Sequence, residues 1–230
     1  MQETTPAKYF TPDTHGFFDD LVTMLVSLSS YMFTMHVSMA SNNPMPLGQR
    51  TQQELISYIA PIKILNWPFR LGCRATESTI LIFSTELVMA CALNGWPQFI
   101  KYLEIPSVNS DPDYRLSSSG VKRITSDIVG ASFSNFYFRC EPAIKRQYGN
   151  TVDDWPEIAR FAWLMRNGFA HGGSLRINDQ KLRPALWKIW SIDASCNGHR
   201  CLFEDGMLGI GDVVMLMQDL DGFSAASGGH

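Results

Sequence analysis

The sequence predicts a mainly α-helical fold, a helical bundle with a short β-hairpin or small sheet near the C-terminus. Two patterns indicate this class. Apolar residues recur at helical spacing through most of residues 11–170, and after Gly172 and Gly173 the spacing changes to that of short strands. The length of 230 residues and the hydrophobic content of 45% are typical of a globular protein, so we expect a single domain over residues 1–230.

Before residue 150 the sequence predicts a series of helices separated by turns. Thr11 can cap the first helix, because Pro12 then occupies the first helical position, where its missing N–H costs nothing. Pro61 bends or breaks the second helix, and Asn94-Gly95 ends the third. The predicted helices cover residues 11–40, 51–66, 76–94, 96–103, 121–130 and 132–147.

The clearest helix lies within residues 155–173. Asp154 can cap it, Pro156 fits its first turn, and Gly172 suits the left-handed position just past its end. Gly168 interrupts the pattern at a cost in helix propensity, which suggests close approach of another backbone or a ligand. The apolar stripe of this helix consists of Ile158, Phe161, Ala162, Met165 and Phe169.

Short strands are predicted downstream of the glycines, over about residues 174–204. The turn between two of them is the dipeptide Asn197-Gly198, which favours a hairpin. A final helix is expected over about residues 209–221, followed by a flexible tail over residues 222–230. The individual strands are predicted at residues 175–177, 187–192 and 200–203.

The composition limits the classes of function. The net charge of −3 gives no global basic field, so a nucleic-acid site would have to be a local basic patch. The five cysteines are odd in number and form no C-x-x-C pair, which favours free thiols in the reducing cytoplasm. Cys196, His199 and Cys201 lie close together but lack a fourth ligand and the usual spacing, so no metal or cofactor is expected.

No membrane span is expected either. The N-terminus lacks a basic region followed by an apolar run, so no secretory signal is predicted. Residues 21–49 contain no charged residue and are long enough to cross a bilayer. Serine recurs through them, however, and no Lys/Arg cluster flanks their start, which favours a buried bundle helix. We therefore expect a cytoplasmic protein.

Basic and aromatic side chains alternate along residues 121–148. Such a surface binds single-stranded nucleic acid by stacking and charge. The same composition also describes a core helix with one solvated face, so both interpretations stay open. The residues concerned are Lys122, Arg123, Arg139, Lys145 and Arg146, with Phe133, Phe136, Tyr137, Phe138 and Tyr148.

The candidate site is formed by Arg166, Asn167 and His171, which bring a cation, an amide and a titratable imidazole to one helix end. At about 100° per residue, Arg166 and His171 lie roughly 140° apart around the axis. The arginine is long enough for both side chains to reach one phosphate. A histidine near a helix C-terminus is also favourable by itself, so a structural role for His171 remains the alternative.

The spacing Arg166-Asn167-x3-His171 resembles the R-X4-6-H signature of HEPN domains. The segment GMLGIGDVVMLMQDL that follows the motif is also similar to uncharacterised bacterial members of that group, and the resemblance covers about residues 141–220. HEPN domains are small helical bundles that are commonly dimeric. Many are metal-independent endoribonucleases, frequently toxins or phage-defence effectors.

The resemblance implies that Arg166 holds the scissile phosphate and that His171 acts as general acid or base, with Asn167 orienting one of the two. A homodimer would bring two such pairs to one cleft and supply both an acid and a base. The implied partners are an RNA substrate, a second copy of the chain and an antitoxin or regulatory protein. The alternative is a non-catalytic HEPN-like interaction or regulatory module that uses the same residues to bind phosphate or to make structural bonds.

Overall fold

A computed structural model of the chain describes residues 6–40, 68–83, 87, 91, 95–106, 119–179, 182–203 and 206–225. The helices in these residues are α1 (Phe18–Ala40), α2 (Ser119–Tyr148), α3 (Glu157–Ala170) and α4 (Ile210–Ala225). The first four strands are β1 (Lys8–Phe10), β2 (Pro68–Cys73), β3 (Ser78–Phe83) and β4 (Ile100–Pro106). The later strands are β5 (Ala185–Trp187), β6 (Trp190–Ile192), β7 (Arg200–Leu202) and β8 (Gly206–Leu208).

The first four strands form one antiparallel sheet in the order β1-β4-β3-β2. β2 and β3 form a hairpin in which Cys73 pairs with Ser78, and β3 pairs with β4 through Leu81 and Leu103. Side chains alternate in burial along the strands, as expected for a sheet with one face against the core. The buried side chains on that face include Leu71, Cys73, Ile80, Ile82, Ile100 and Tyr102.

This sheet shows that the expectation of a mainly α-helical bundle was wrong, because the fold is mixed α/β. Residues 78–83 of the helix predicted over residues 76–94 form β3, and residues 100–103 of the helix predicted over residues 96–103 belong to β4. Most of residues 84–94 lies outside the described residues. β3 reads STILIF, and the periodicity of so short an apolar run does not distinguish a buried strand from a helix. Its isoleucines and threonine favour a strand when neighbouring strands are present. The predicted helix over residues 51–66 lies outside the described residues.

Helix α2 is the centre of the helical layer, since α1, α3 and α4 all pack against it. It is continuous through the break predicted at residues 130–132. Gly130 lies directly against the ring of Phe169 on α3, where a Cβ atom would be only 2.7 Å from Phe169 Cδ1. Gly130, the last residue of a predicted helix, instead lies inside α2 and allows α2 and α3 to approach closely.

Most aromatic residues of α2 belong to the core. Phe133, Phe136 and Tyr137 are fully buried, whereas Phe138 is exposed. Arg139 pairs with Asp20 of α1, and Lys145 pairs with Glu141 one turn earlier. The interpretation of α2 as a core helix with a solvated face therefore describes these residues, and they form no continuous surface of alternating rings and cations.

The beginning of α4 is fixed to the β2–β3 turn by Asp212. This carboxylate is fully buried. Its Oδ2 accepts the backbone N–H of Gly209 at 2.8 Å and of Arg74 at 2.9 Å, and its Oδ1 accepts the N–H of Ala75 at 2.9 Å. A Cβ atom on Gly211 would lie 2.6 Å from the carbonyl oxygen of Leu71. The hydrogen bonds of Asp212 and the lack of a side chain at Gly211 therefore let the start of α4 pack directly against the sheet.

The strands of the C-terminal region pair differently from the prediction. Short strands do lie there, but β5 pairs with β6 as an antiparallel hairpin and β7 pairs with β8 in parallel. Residues 175–177 form no strand, and Ser174 makes a single antiparallel bridge to Arg200. The helix predicted at residues 209–221 is confirmed as α4, although it continues to Ala225, into the segment expected to be a flexible tail.

At the N-terminus α1 begins at Phe18, later than the predicted start at Thr11. Thr11 instead donates its backbone N–H to the Nδ1 atom of His15 at 3.2 Å, within a turn. Among the described helices, α1 included, none has the length and apolar character needed to cross a membrane.

We predict that Asp212→Ala lowers the free energy of unfolding by on the order of 3 kcal/mol, because it removes the acceptor of three backbone N–H groups. Denaturant unfolding followed by circular dichroism measures this loss. The matched control is Asp13→Ala, which removes an exposed carboxylate and should change stability by less than about 0.5 kcal/mol. Equal stability of the two variants would contradict the role assigned to Asp212.

Candidate functional site

Helix α3 presents the predicted site residues and is close to the helix expected from the sequence. It begins at Glu157, with Pro156 in the N-cap position and no side-chain cap, so the prediction of Asp154 as the cap was wrong. Asp154 belongs to a 3-10 turn just before the helix. Phe161, Ala162 and Met165 of the predicted stripe are fully buried, whereas Ile158 and Phe169 are half-buried.

The end of α3 has the Schellman geometry predicted by Gly172. The N–H of Gly172 donates to the carbonyl of Phe169 at 3.3 Å, and the N–H of Gly173 donates to the carbonyl of Gly168 at 3.0 Å. Gly172 has a φ of 76° and Gly173 a φ of 79°, values that glycine adopts without strain. His171 is therefore the C-cap residue, and the chain turns away immediately after it.

Arg166 and Asn167 contact each other on the last turns of α3. The Nη1 atom of Arg166 donates to the Oδ1 atom of Asn167 at 3.0 Å, and both side chains are half-buried. Burial raises the pKa of Tyr137 on α2, and the positive charge of Arg166 opposes that rise. The hydroxyl of Tyr137 is buried and has no hydrogen-bond partner in the described part of the chain. The orientation of the Arg166 guanidinium is thus set by Asn167.

His171 is exposed at the same helix end. Its backbone N–H donates to the carbonyls of Asn167 and Gly168, both at 3.1 Å. Its ring has no hydrogen-bond partner among the residues that the structure describes. The three predicted residues therefore share one helix end, and the side-chain hydrogen bond seen among them joins Arg166 and Asn167.

The segment that follows His171, residues 172–177, is held in place by residues 197–201. The N–H of Cys201 donates to the carbonyl of Gly173 at 2.8 Å, and the N–H of Leu175 donates to the carbonyl of His199 at 2.9 Å. The side-chain oxygen of Asn197 accepts the N–H of Ile177 at 2.9 Å. These hydrogen bonds fix the path of the chain just beyond the imidazole.

Gly168 explains why that segment lies so close to α3. A Cβ atom at this position would be 2.5 Å from the Sγ of Cys201 and 3.2 Å from a methyl group of Leu175. The sequence suggested close approach at Gly168, and the group that approaches is the buried thiol of Cys201, whose pKa burial raises to about 12. Cys201 is therefore a packing residue and is protonated at neutral pH.

These contacts bring polar residues that were not predicted for the site to the end of α3. Arg176, His199 and Arg200 are all exposed and belong to the two paired segments. Asn197-Gly198 was recognisable as a turn in the sequence. Nothing in the local pattern, however, indicated that the turn would pair with the residues after His171.

Arg160, near the beginning of α3, is a second arginine that the sequence did not single out. It is only 2% exposed, and its Nη1 donates to the carbonyl of Arg183 at 3.2 Å. Burial lowers its pKa, and the charge of Arg183 lowers it further. Its Nε has no partner within the described ranges and is sealed from solvent, so Arg160 holds the segment before β5 against α3 and offers no open binding site.

Among the described residues, no group of three or more histidine, cysteine or acidic side chains is arranged to hold a metal ion. Comparison with protein-family models, with curated proteins and with solved structures gives no match to this chain.

We predict that Gly168→Ala lowers stability by about 1–3 kcal/mol, because the added methyl group would overlap Cys201 and Leu175. Thermal unfolding measures the change. Gly120→Ala is the matched control, since a Cβ atom on Gly120 meets nothing within 4 Å. If packing were loose here, alanine would improve the helix propensity of α3. A higher melting temperature for Gly168→Ala would therefore contradict the close approach.

Proposed function

We propose that the chain is a metal-independent endoribonuclease that uses an R-X4-6-H motif of the HEPN type. Arg166 binds the scissile phosphate, Asn167 orients the guanidinium, and His171 transfers protons. The observation that supports this assignment is the exposed imidazole of His171 at the glycine-capped end of α3, with the Arg166–Asn167 pair on the preceding turns.

The chemistry requires a proton acceptor and a site for phosphate charge. The 2′-hydroxyl of RNA attacks the adjacent phosphorus, forming a 2′,3′-cyclic phosphate while the 5′-oxygen leaves and takes up a proton. An imidazole has an ordinary pKa near 6.5 and can move these protons at neutral pH. A guanidinium can bind two phosphate oxygens and stabilise the charge that develops on them.

The hydrogen bond between Arg166 and Asn167 supports this role for the arginine. It uses the Nη1 atom of Arg166, whereas no bond is seen to its Nη2 or Nε within the described residues. An arginine held by one nitrogen keeps donors for an incoming phosphate. Because its orientation is already set, less conformational entropy is lost on binding.

A single imidazole does not easily serve as both acid and base. We propose a homodimer in which two copies of the Arg166–His171 pair face one cleft, so that one histidine accepts the proton and the other donates it. His199 is the other exposed imidazole near the end of α3 in the same chain. Activity that survives His199→Ala and is lost in His171→Ala would favour the dimer.

A non-catalytic module is the second candidate. The observation that favours it is the absence of a hydrogen bond between the side chains of Arg166 and His171 in the described structure. Such a module would bind a phosphate group through Arg166 without cleaving RNA.

We predict that the wild-type chain cleaves total RNA in the presence of EDTA and leaves 2′,3′-cyclic phosphate ends, whereas His171→Ala does not. Because His171 is exposed and its ring is unbonded in the described chain, the substitution should leave the melting temperature nearly unchanged. A large loss of melting temperature would instead identify His171 as structural. A folded wild-type dimer that cleaves no RNA would favour the binding module.

We predict that Arg166→Lys lowers the cleavage rate by roughly 100-fold, because lysine keeps the charge but not the planar donor pair. The readout is the initial rate on a short RNA of defined sequence. Lys145→Arg is the matched control, since it makes the reverse exchange at an exposed position on α2. Near-normal cleavage by Arg166→Lys would contradict bidentate phosphate binding.

A further inference from the structure

Exposed arginines lie on the segments that pack near the end of α3, even though the chain carries a net charge of −3. The first of these patch arginines is Arg200. Ser174, three residues after His171, forms an antiparallel bridge with Arg200, and the N–H of Cys201 donates to the carbonyl of Gly173 at 2.8 Å. Residues that face each other in an antiparallel pair direct their side chains to the same side, so Arg200 lies on the side of Ser174.

Arg176 extends the patch on the same side of the segment. Leu175 and Ile177 are buried, whereas Arg176 between them is exposed, as expected for an extended chain with alternating side chains. Arg176 is two residues after Ser174 and therefore shares its face. The exposed arginines of the two paired segments thus lie on the outer surface just beyond the imidazole.

Helix α2 contributes the third cation. A Cβ atom on Gly173 would lie 2.8 Å from the Oγ of Ser126, so this part of α2 touches the segment after His171. Arg123 is three residues before Ser126, on the same helix face, and is exposed. The described carboxylate nearest in the chain to Arg123 is that of Asp127, and the one nearest to Arg176 is that of Asp179. Both are exposed.

The position of these arginines has an electrostatic consequence. The C-terminal end of a helix carries a partial negative charge of about half a unit, which disfavours an anion beside His171. Cations from neighbouring segments can reverse that field locally. The strand of an RNA substrate carries one phosphate per nucleotide, so that several cations on one surface can each neutralise a phosphate.

We propose that Arg123, Arg176 and Arg200 bind the RNA sugar–phosphate backbone on either side of the phosphate held by Arg166. This inference rests on the proposed ribonuclease function and identifies its substrate-binding surface. These arginines bind flanking phosphates and take no part in proton transfer. They give affinity without sequence specificity, because phosphate contacts carry no base information.

The test measures binding separately from cleavage. The probe is a short fluorescent single-stranded oligonucleotide of 2′-O-methyl ribonucleotides, which cannot be cleaved because its 2′-oxygen is blocked. Fluorescence anisotropy with the wild-type 230-residue chain gives the Kd at several KCl concentrations. Alanine at each of the three arginines should weaken binding roughly 3- to 10-fold and reduce the salt dependence by about one phosphate contact.

The matched control is Arg183→Ala, which removes the same charge near the other end of α3, where the carbonyl of Arg183 bonds Arg160. Its Kd should stay within about twofold of the wild type. Because Arg200 lies on β7, the pair Arg200→Lys and Arg200→Gln provides a second test at that position. Lysine should retain most of the binding, and glutamine, of similar length but neutral, should not.

The possible outcomes separate the two proposals. Equal losses for Arg183→Ala and the three patch variants, or no loss in any of them, would overturn the basic surface even if the wild type cleaves RNA. Loss confined to the patch variants would support the surface, and it would do so even if His171-dependent cleavage were absent. In that case the catalytic assignment alone would fail.

Discussion

The close contact between the end of α3 and residues 197–201 is the constraint on which the candidate site depends. It exists because Gly168 has no side chain where Cys201 packs, and because Gly173 lies against Ser126 of α2. The backbone hydrogen bonds of Gly173 and Leu175 can then form at normal distances. Because of this dense packing, the position of His171 depends on three chain segments and not on one helix alone.

A second junction joins the sheet to the helices. Asp212 supplies acceptors for N–H groups of both the β2–β3 turn and the beginning of α4, and the neighbouring glycines let the two backbones meet. A buried carboxylate is costly unless it is hydrogen-bonded, and this one receives three bonds. The sequence Gly209-Ile210-Gly211 just before Asp212 is therefore structural, and α4 in turn packs on α2.

The distribution of exposed cations bears on the proposed function. A chain of net charge −3 can bind an anionic strand only through a local patch, and exposed arginines lie on α2, on the segment after α3 and on β7, three elements that pack together near the end of α3. Other basic residues are already committed, since Arg139 pairs with Asp20 and Lys145 with Glu141. The distribution of charge, more than its total, thus distinguishes this surface.

The sequence by itself determined the features that depend on residues close together in the chain. The helix bearing Arg166, Asn167 and His171, its end at Gly172 and the last helix follow from periodicity and capping. The sheet could not be recognised, because β3 is a short apolar run and its pairing with β1, β2 and β4 depends on distant residues. The contacts of the segments that carry Arg123, Arg176 and Arg200 were decided only by tertiary structure. Ser174 bridges to Arg200, and Gly173 lies against Ser126, although these residues are far apart in the chain. Local periodicity carries no record of such contacts.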